Sequence, residues 1–235
     1  MGELIFIPGF MQRADAWRAV AERVGERYPS TCLDHRSHDF EGRLAEIAEA
    51  CPPGSVPVGY SMGGRLALHA ALREPGRFAA LVLVGASAGI EHAGERAARA
   101  RVDEELAAWI ESRPIESVVQ RWERNAVFAS QAPELMAAQR AGRLAHDPRD
   151  LARLLRSAGQ AACPPVWDRL GGLECPLLAL AGQADEHYAA AAGRMAGGTR
   201  CGAAALVPGA GHAPHLEAPD ATAELLLELL DEHLG

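Results

Sequence analysis

Short apolar runs alternate with longer amphipathic stretches along the first ninety residues. The apolar runs are continuous, which is typical of strands buried on both faces of a parallel sheet. The longer stretches repeat apolar residues at helical spacing, as helices packed on a sheet require. The predicted strands lie in ELIFIPGF (3–10), STCLDHRSHD (30–39), SVPVGY (55–60) and FAALVLVGASAGI (78–90). The predicted helices lie in RADAWRAVAERVGERY (13–28) and EGRLAEIAEACPP (41–53), and a third begins at Gly63.

The pattern changes after Ile90. Residues 91–160 are rich in Ala, Arg and Glu at helical spacing and contain no convincing strand. Strand-like runs and a last helix then follow in CPLLALAG (175–182), AAALVPGAG (203–211) and APDATAELLLELLDEHL (218–234). This order predicts an α/β fold with a mostly parallel, doubly wound sheet and an inserted helical cap. We expect residues 1–90 and 161–235 to form the sheet core and residues 91–160 to form the cap.

Composition narrows the classes of function. Of the 235 residues, 49% are hydrophobic and 23% are charged, which is ordinary for one soluble globular unit. The net charge of −8 argues against nucleic-acid binding. All 23 basic residues are arginine, so lysine Schiff-base chemistry and a phosphate-binding P-loop are excluded.

The five cysteines are widely spaced and show no CxxC motif. They predict reduced thiols in a cytoplasmic protein, with neither a disulfide framework nor a metal site. No apolar run is long enough to cross a bilayer, and no leader peptide is indicated, so we expect no membrane insertion. No cofactor motif is visible. We expect a small-molecule substrate, and the sequence indicates no oligomeric state.

One serine is placed as a nucleophile would be. The segment GYSMG (59–63) fits the pattern G-x-S-x-G, with a predicted strand before it and a predicted helix after it. In that context the serine, Ser61, lies on a strained turn, and the glycines allow neighbouring elements to approach closely. The motif alone is only moderately specific, so the assignment of Ser61 as a nucleophile depends on whether the chain supplies residues that could activate it.

A nucleophilic serine needs a histidine that takes its proton and an acid that orients the histidine. The chain order Ser, Asp, His is supplied by Asp185 and His212, each just after a predicted strand. Glu186 is an alternative acid. His187 and His215 are alternative histidines, but a Gly-x-Gly-His turn places His212 directly after its strand.

Two backbone N–H groups should stabilise a developing oxyanion. The first is expected from Met62, directly after the nucleophile. The second is expected from the turn after the first strand, at Phe10.

These motifs resemble the α/β-hydrolase superfamily over nearly the whole chain. Within it, the sequence is similar to the synthases of menaquinone biosynthesis that form 2-succinyl-6-hydroxy-2,4-cyclohexadiene-1-carboxylate. The similarity rests on GYSMGGRLAL, GASAGIEHAGERAARARVDEELAAWI, VVQRWERNAVFAS and RLAHDPRDLARLLRSAGQ. It implies a triad-based enzyme that eliminates pyruvate from a substrate with several carboxylates. The triad would act as a base, without an acyl-enzyme.

The resemblance also implies how the substrate is held. The implied carboxylate-binding residues are Arg65, Arg99 and Arg143, and the other implied substrate contacts are Tyr60 and Trp122. Arginine suits this task because its guanidinium pairs with a carboxylate through two hydrogen bonds. Each arginine taken alone fits a surface ion pair equally well. The chain departs from the family at Pro8, where relatives usually have His before Gly, and its sheet is expected to be shortened at the N-terminal edge.

Two other functions fit the same residues. A carboxylesterase would use the triad with Ser61 as a true nucleophile, but it has no need of three arginines in one pocket. A non-catalytic binding protein on the same scaffold would be favoured by the loss of a triad member, and all three are present.

Overall fold

A computed structural model describes residues 2–234 of the chain. Within these residues the strands form one sheet of six, all parallel, in the order β2-β1-β3-β4-β5-β6. The strands are β1 (Leu4–Ile7), β2 (Ser30–Cys32), β3 (Val56–Tyr60), β4 (Leu81–Val84), β5 (Leu177–Gly182) and β6 (Gly202–Val207). The α/β class predicted from the apolar runs is confirmed, and the sheet is wholly rather than mostly parallel. On the N-terminal side it ends at the short strand β2.

Ten α-helices occur within the same described residues. They are α1 (Arg18–Val24), α2 (Phe40–Ala50), α3 (Met62–Arg73), α4 (Ala93–Glu111), α5 (Ile115–Trp122), α6 (Pro133–Leu144), α7 (Pro148–Ala158), α8 (Glu186–Gly197), α9 (Pro214–Glu217) and α10 (Pro219–Leu234). Helices α4 to α7 occupy the segment predicted as the cap. The sequence did not predict α8, and the first predicted helix begins with a 3-10 turn at Ala14–Trp17.

The sheet separates two hydrophobic cores because successive strand residues point to opposite faces. In β1, Leu4 and Phe6 join a core with α1 and α10, whereas Ile5 and Ile7 join a core with α2, α3 and α8. All four side chains are at most 1% exposed. Burying a side chain of this size contributes roughly 1.5–3 kcal/mol. The buried central strands therefore form a rigid platform.

Strand β4 is shorter than the predicted segment 78–90. It ends at Val84 because Gly85 has φ +56, in the left-handed region, and turns the chain out of the sheet. Apolar residues such as Ala86 and Ala88 remain buried beyond this point, so the sequence keeps its apolar character after the strand has ended.

The parallel arrangement brings the ends of three strands to one edge. The chain leaves β3 at Ser61, leaves β5 shortly before Asp185 and leaves β6 shortly before His212. Because all strands run the same way, these residues lie at the same carboxyl edge of the sheet. The inserted helices have a third small core, which also contains Met11 from the turn after β1. They are thereby packed over that edge.

Candidate active site

Ser61 lies on a strained elbow. It is the single residue between β3, which ends at Tyr60, and α3, which begins at Met62, one residue earlier than predicted. Its backbone angles are φ 49° and ψ −109°, which a non-glycine residue rarely adopts. Its N–H donates to the carbonyl of Val84 at 2.9 Å. The strain holds the hydroxyl out at the edge of the sheet.

Glycines make this elbow possible through close approach. A Cβ atom on Gly59 would lie 2.6 Å from the carbonyl oxygen of Gly63, and one on Gly63 would lie 2.5 Å from the carbonyl oxygen of Pro8. A Cβ atom on Gly64 would lie 2.7 Å from that of Ala86. Contacts this short cannot form without displacing the backbone. Gly63 therefore lets α3 pack beneath the turn after β1, and Gly64 lets it approach the segment after β4.

The three predicted triad residues meet. The Nδ1 of His212 lies 2.8 Å from Oδ2 of Asp185, and its Nε2 lies 3.4 Å from Oγ of Ser61. An ionised carboxylate only accepts hydrogen bonds, so this pairing assigns the proton to Nδ1. The lone pair of Nε2 then faces the serine hydroxyl, as a general base requires. The distance of 3.4 Å is loose, which is common before substrate is bound.

Asp185 has two structural tasks. It is the N-cap of α8, where its side chain accepts a hydrogen bond from the N–H of Tyr188 at 3.3 Å. Burial alone would raise the pKa of its carboxyl group, but the hydrogen bonds from His212 and from the Tyr188 N–H outweigh burial and hold that pKa below its ordinary value. The carboxylate is therefore ionised at neutral pH and can orient the imidazole.

Within residues 2–234, no hydrogen bond joins any of the alternative residues to the side chain of Ser61 or His212. The ring of His215 is fully buried, 4.3 Å from both the Tyr60 and Trp17 ring centroids, and its Nε2 lies 3.2 Å from Nε2 of Gln12. Burial lowers the pKa of His215 to about 3, and the nearby His212 adds to this effect. Glu186 and His187 are exposed in the first turn of α8. The geometry thus favours Asp185 and His212 over the alternatives.

Met62 and Phe10, the residues predicted to supply the oxyanion donors, line the same cavity as Ser61. Met62 is the first residue of α3, so its N–H has no acceptor within the helix. Phe10 follows the Pro8-Gly9 turn, in which the Gly9 N–H donates to Oε1 of Gln12 at 3.1 Å. Gln12 thus supports the turn that contains Pro8.

A cavity of about 520 Å³ lies between the edge of the sheet and the inserted helices. Every predicted site residue except Asp185 lines it, and Asp185 lies behind His212. A surface groove of about 570 Å³ also runs along α1 and β2, but no predicted site residue lines it. The cavity next to Ser61 is therefore the candidate active site.

Arg65 brings a buried positive charge to the cavity. Its side chain is 5% exposed and stands one turn beyond Ser61 on α3. One guanidinium nitrogen donates to the carbonyl of Ala158 at 3.2 Å, and the buried Nε has no partner within residues 2–234. The positive charge of this guanidinium has no acidic partner among residues 2–234.

The other two arginines come from the inserted helices, and each lines the cavity and also contacts an acidic side chain. Arg99 lines the cavity and also pairs through Nε with Asp103 at 2.6 Å. Arg143 is 3% exposed, and its Nη2 donates to Oε1 of Gln139 at 2.7 Å, while Nη1 lies 3.4 Å from Glu123. Burial lowers the pKa of Arg143 from its ordinary value.

Aromatic rings form the apolar walls of the cavity. Trp122 meets Phe10 edge-on at 5.3 Å between ring centroids. Tyr60 is 3% exposed, its ring centroid lies 5.4 Å from that of His212, and burial raises the pKa of its hydroxyl well above the ordinary value. The cavity therefore combines cationic groups with aromatic and other apolar walls.

Two of the cavity side chains that sequence reasoning missed contact each other beside His212. The ring of Tyr188 packs 4.6 Å from that of His212, and its hydroxyl accepts a hydrogen bond from Nε2 of Gln160 at 2.7 Å. Both residues line the cavity. Neither belongs to a spaced motif. The position of Tyr188 three residues after the candidate acid is the one signal in the sequence.

This fold and site define an enzyme of the α/β-hydrolase type. The model of the alpha/beta hydrolase family matches residues 4–225, and the chain belongs to that family. No helix in residues 2–234 is both long enough and apolar enough to span a membrane.

Curated relatives within the family are named 2-succinyl-6-hydroxy-2,4-cyclohexadiene-1-carboxylate synthase. The one from Escherichia coli O1:K1 / APEC is 30% identical, over 97% of this chain and 93% of its own length. A Bacillus subtilis (strain 168) protein, to which the same name is given provisionally, is 34% identical over 97% of this chain and 89% of its own length. The resemblance noted in the sequence is confirmed.

Solved structures agree with this placement. The structure of MenH from S. aureus has a TM-score of 0.90 at 26% identity, with 100% of this chain and 95% of that chain covered. A thermophilic esterase from Thermogutta terrifontis, solved with malate bound, has a TM-score of 0.84 at 22% identity, with 99% of this chain and 91% of that chain covered. The second likeness shows the fold alone.

Proposed function

We propose that this enzyme eliminates pyruvate from a polycarboxylated menaquinone-pathway intermediate and releases 2-succinyl-6-hydroxy-2,4-cyclohexadiene-1-carboxylate. The observation that carries the proposal is the convergence of Arg65, Arg99 and Arg143 on the cavity that holds Ser61 and His212. The names of the curated relatives support the same reaction.

In the proposed mechanism the triad is a base. His212 takes the proton of the Ser61 hydroxyl through Nε2, while Asp185 holds the imidazole in the required tautomer. The serine oxygen then removes a proton from a substrate carbon. The electron pair of the broken C–H bond forms a C=C bond, and the bond to the pyruvyl group breaks with its electron pair leaving on that group. The N–H groups of Met62 and Phe10 stabilise negative charge that develops on oxygen.

The arginines select the substrate in this proposal. In this proposal one substrate carboxylate pairs with the guanidinium of Arg65, which lines the cavity. Arg99 and Arg143 hold further carboxylates from above, and Tyr60 and Trp122 pack against the ring. We propose accordingly that residues 91–160 act as a cap on a core formed by residues 1–90 and 161–235, and that the enzyme works in the cytoplasm.

A paired assay tests the function. Purified protein is given the pathway intermediate, with pyruvate release as the readout, and separately a p-nitrophenyl acyl ester, with p-nitrophenol release as the readout. We expect rapid pyruvate release and little ester hydrolysis. Rapid hydrolysis of the neutral ester without pyruvate release would instead assign the triad to a carboxylesterase.

A variant of Ser61 shows whether the measured activity comes from this site. Ser61→Ala should lower pyruvate release by at least roughly 10³-fold. Its fold should be retained, since the residue lies at an edge. Ser87→Ala, in the turn after the neighbouring strand β4, is the matched control and should keep full activity. Full activity in Ser61→Ala would rule out the assigned triad.

A further inference from the structure

The carboxylate of Glu217 clamps the loop that carries His212. Its Oε2 accepts a hydrogen bond from the N–H of Gly211 at 2.8 Å, and its Oε1 accepts one from the N–H of Ala213 at 2.9 Å. These are the two backbone groups on either side of the catalytic histidine. The carboxylate therefore fixes the loop both before and after the imidazole.

The same carboxylate also accepts hydrogen bonds from the loop before α6, within the inserted segment. Its Oε2 accepts from the hydroxyl of Ser130 at 2.9 Å, and its Oε1 from Nε2 of Gln131 at 3.5 Å. A Cβ atom on Gly211 would lie only 2.2 Å from the Ser130 hydroxyl oxygen, so the two segments meet in close contact. Glu217 is thus a junction between the histidine loop and the segment before α6.

A polar chain continues from this junction into the cavity. Oε1 of Gln131 accepts from Nε2 of Gln139 at 3.2 Å. Oε1 of Gln139 then accepts from Nη2 of Arg143 at 2.7 Å. Gln131 is 9% exposed and Arg143 is 3% exposed, so the chain is largely shielded from water and its hydrogen bonds are strengthened.

We propose that Glu217 is a positioning residue that couples the placement of His212 to the placement of Arg143. When the segment before α6 is docked, Ser130 and Gln131 complete the coordination of the carboxylate and hold the histidine loop still. A substrate carboxylate on Arg143 stabilises that docked arrangement and so aligns the base at the moment of binding. The roles of His212 and Arg143 in this proposal rest on the proposed function, whereas the coupling itself does not.

Hydrogen–deuterium exchange of the full chain tests the coupling without substrate. Gln131→Ala changes only the inserted segment, yet it should speed exchange in residues 208–216, which contain the histidine loop. Glu217→Ala should speed exchange both there and in residues 126–145. Glu224→Ala, an exposed glutamate on α10, is the matched control and should change neither segment.

Kinetics of pyruvate release add a second readout. Glu217→Ala should lower kcat by roughly tenfold to a hundredfold, because a small misplacement of a catalytic group has effects of this size. Gln131→Ala should chiefly raise KM, because it loosens Arg143. The loss in kcat/KM of the double variant should be smaller than the product of the two single losses, because both variants break the same chain of hydrogen bonds.

The proposal is overturned if exchange in residues 208–216 is unchanged in Gln131→Ala, or if exchange in residues 126–145 is unchanged in Glu217→Ala. Either result would leave Glu217 with a purely local role in its loop. Gln131→Ala leaves the sheet core untouched, so its exchange result tests the coupling even if Glu217→Ala does not fold. Absence of pyruvate release by the wild type would refute the proposed function, and the exchange result would still decide the coupling.

Discussion

Replacing Asp185 with asparagine separates orientation of the base from stability of the fold. The Asn side-chain oxygen can still accept the N–H of Tyr188 at the start of α8, and Asn is as good an N-cap as Asp. The Asn amide group would then face Nδ1 of His212 as a donor. The imidazole would take the other tautomer, with its proton on Nε2 pointing at Ser61, and could not accept the serine proton.

The size of the effect follows from this tautomer switch. The same change in a comparable triad costs on the order of 10⁴-fold in kcat, which corresponds to about 5.5 kcal/mol of transition-state stabilisation. Stability should fall by less than about 1 kcal/mol because the helix cap is retained. For a chain of this length that is a decrease in Tm of no more than about 4 °C. Activity should therefore be lost while the fold remains.

Pyruvate release at substrate saturation measures kcat for Asp185→Asn, and thermal unfolding measures its Tm. The matched control is Asp39→Asn, which changes the N-cap of α2, where the side chain accepts the N–H of Gly42 at 2.8 Å, far from the cavity. It should keep both activity and Tm. If Asp185→Asn retained more than a tenth of wild-type kcat, Asp185 would not be the orienting acid.

Three further outcomes are expected. Arg99→Ala should raise KM for the anionic substrate far more than for a neutral ester. Arg101 is exposed on the same helix, and the control variant Arg101→Ala should change neither KM. Equal effects of Arg99→Ala on both substrates would count against carboxylate binding. Gly64→Ala should destabilise the fold by roughly 1–3 kcal/mol in urea unfolding, because its Cβ would lie 2.7 Å from that of Ala86; an unchanged unfolding midpoint would contradict the close approach at the elbow. Burial holds the pKa of four histidines at about 4 or below. In the unfolded chain these histidines have ordinary pKa values near 6.5, so the unfolded chain binds more protons than the folded one between these two pH values. The free energy of unfolding should therefore be greatest above pH 6.5 and fall by at least about 2 kcal/mol as the pH drops toward 4. The histidines concerned are His35, His69, His146 and His215. Stability that is constant from pH 7.5 to 4.5 would contradict this.

The sequence predicted the parts of the site that depend on local rules. Gly59 and Gly63 around Ser61 predicted a close-packed elbow, because only glycine permits such approach between backbones. Asp185 and His212 followed apolar runs, and in a parallel sheet the ends of such strands converge. These inferences required only the order of elements along the chain.

Features that depend on packing could not be predicted in this way. Helix α8 is rich in alanine and glycine and has few large apolar residues, so its periodicity is weak. The burial of His215 depends on Trp17, which is distant in sequence. Whether Arg99 and Arg143 face the cavity, an acidic partner or both depends on the packing of the inserted helices, which no local pattern encodes.

The origin of the cavity walls has a consequence for how this enzyme can change. The three groups that would move protons all stand on the sheet, whereas two of the three cavity arginines stand on the inserted helices. Arg99 lies outside the chain of hydrogen bonds that joins Arg143 to Glu217, so mutations at Arg99 can change which acids are recognised without breaking that coupling, whereas mutations at Arg143 or Gln131 would act on recognition and on the base together. Recognition is thus encoded partly in the stretch of the gene for the inserted helices and partly, through Arg65, beside the reacting groups, so selection or laboratory evolution can alter the contribution of Arg99 on its own.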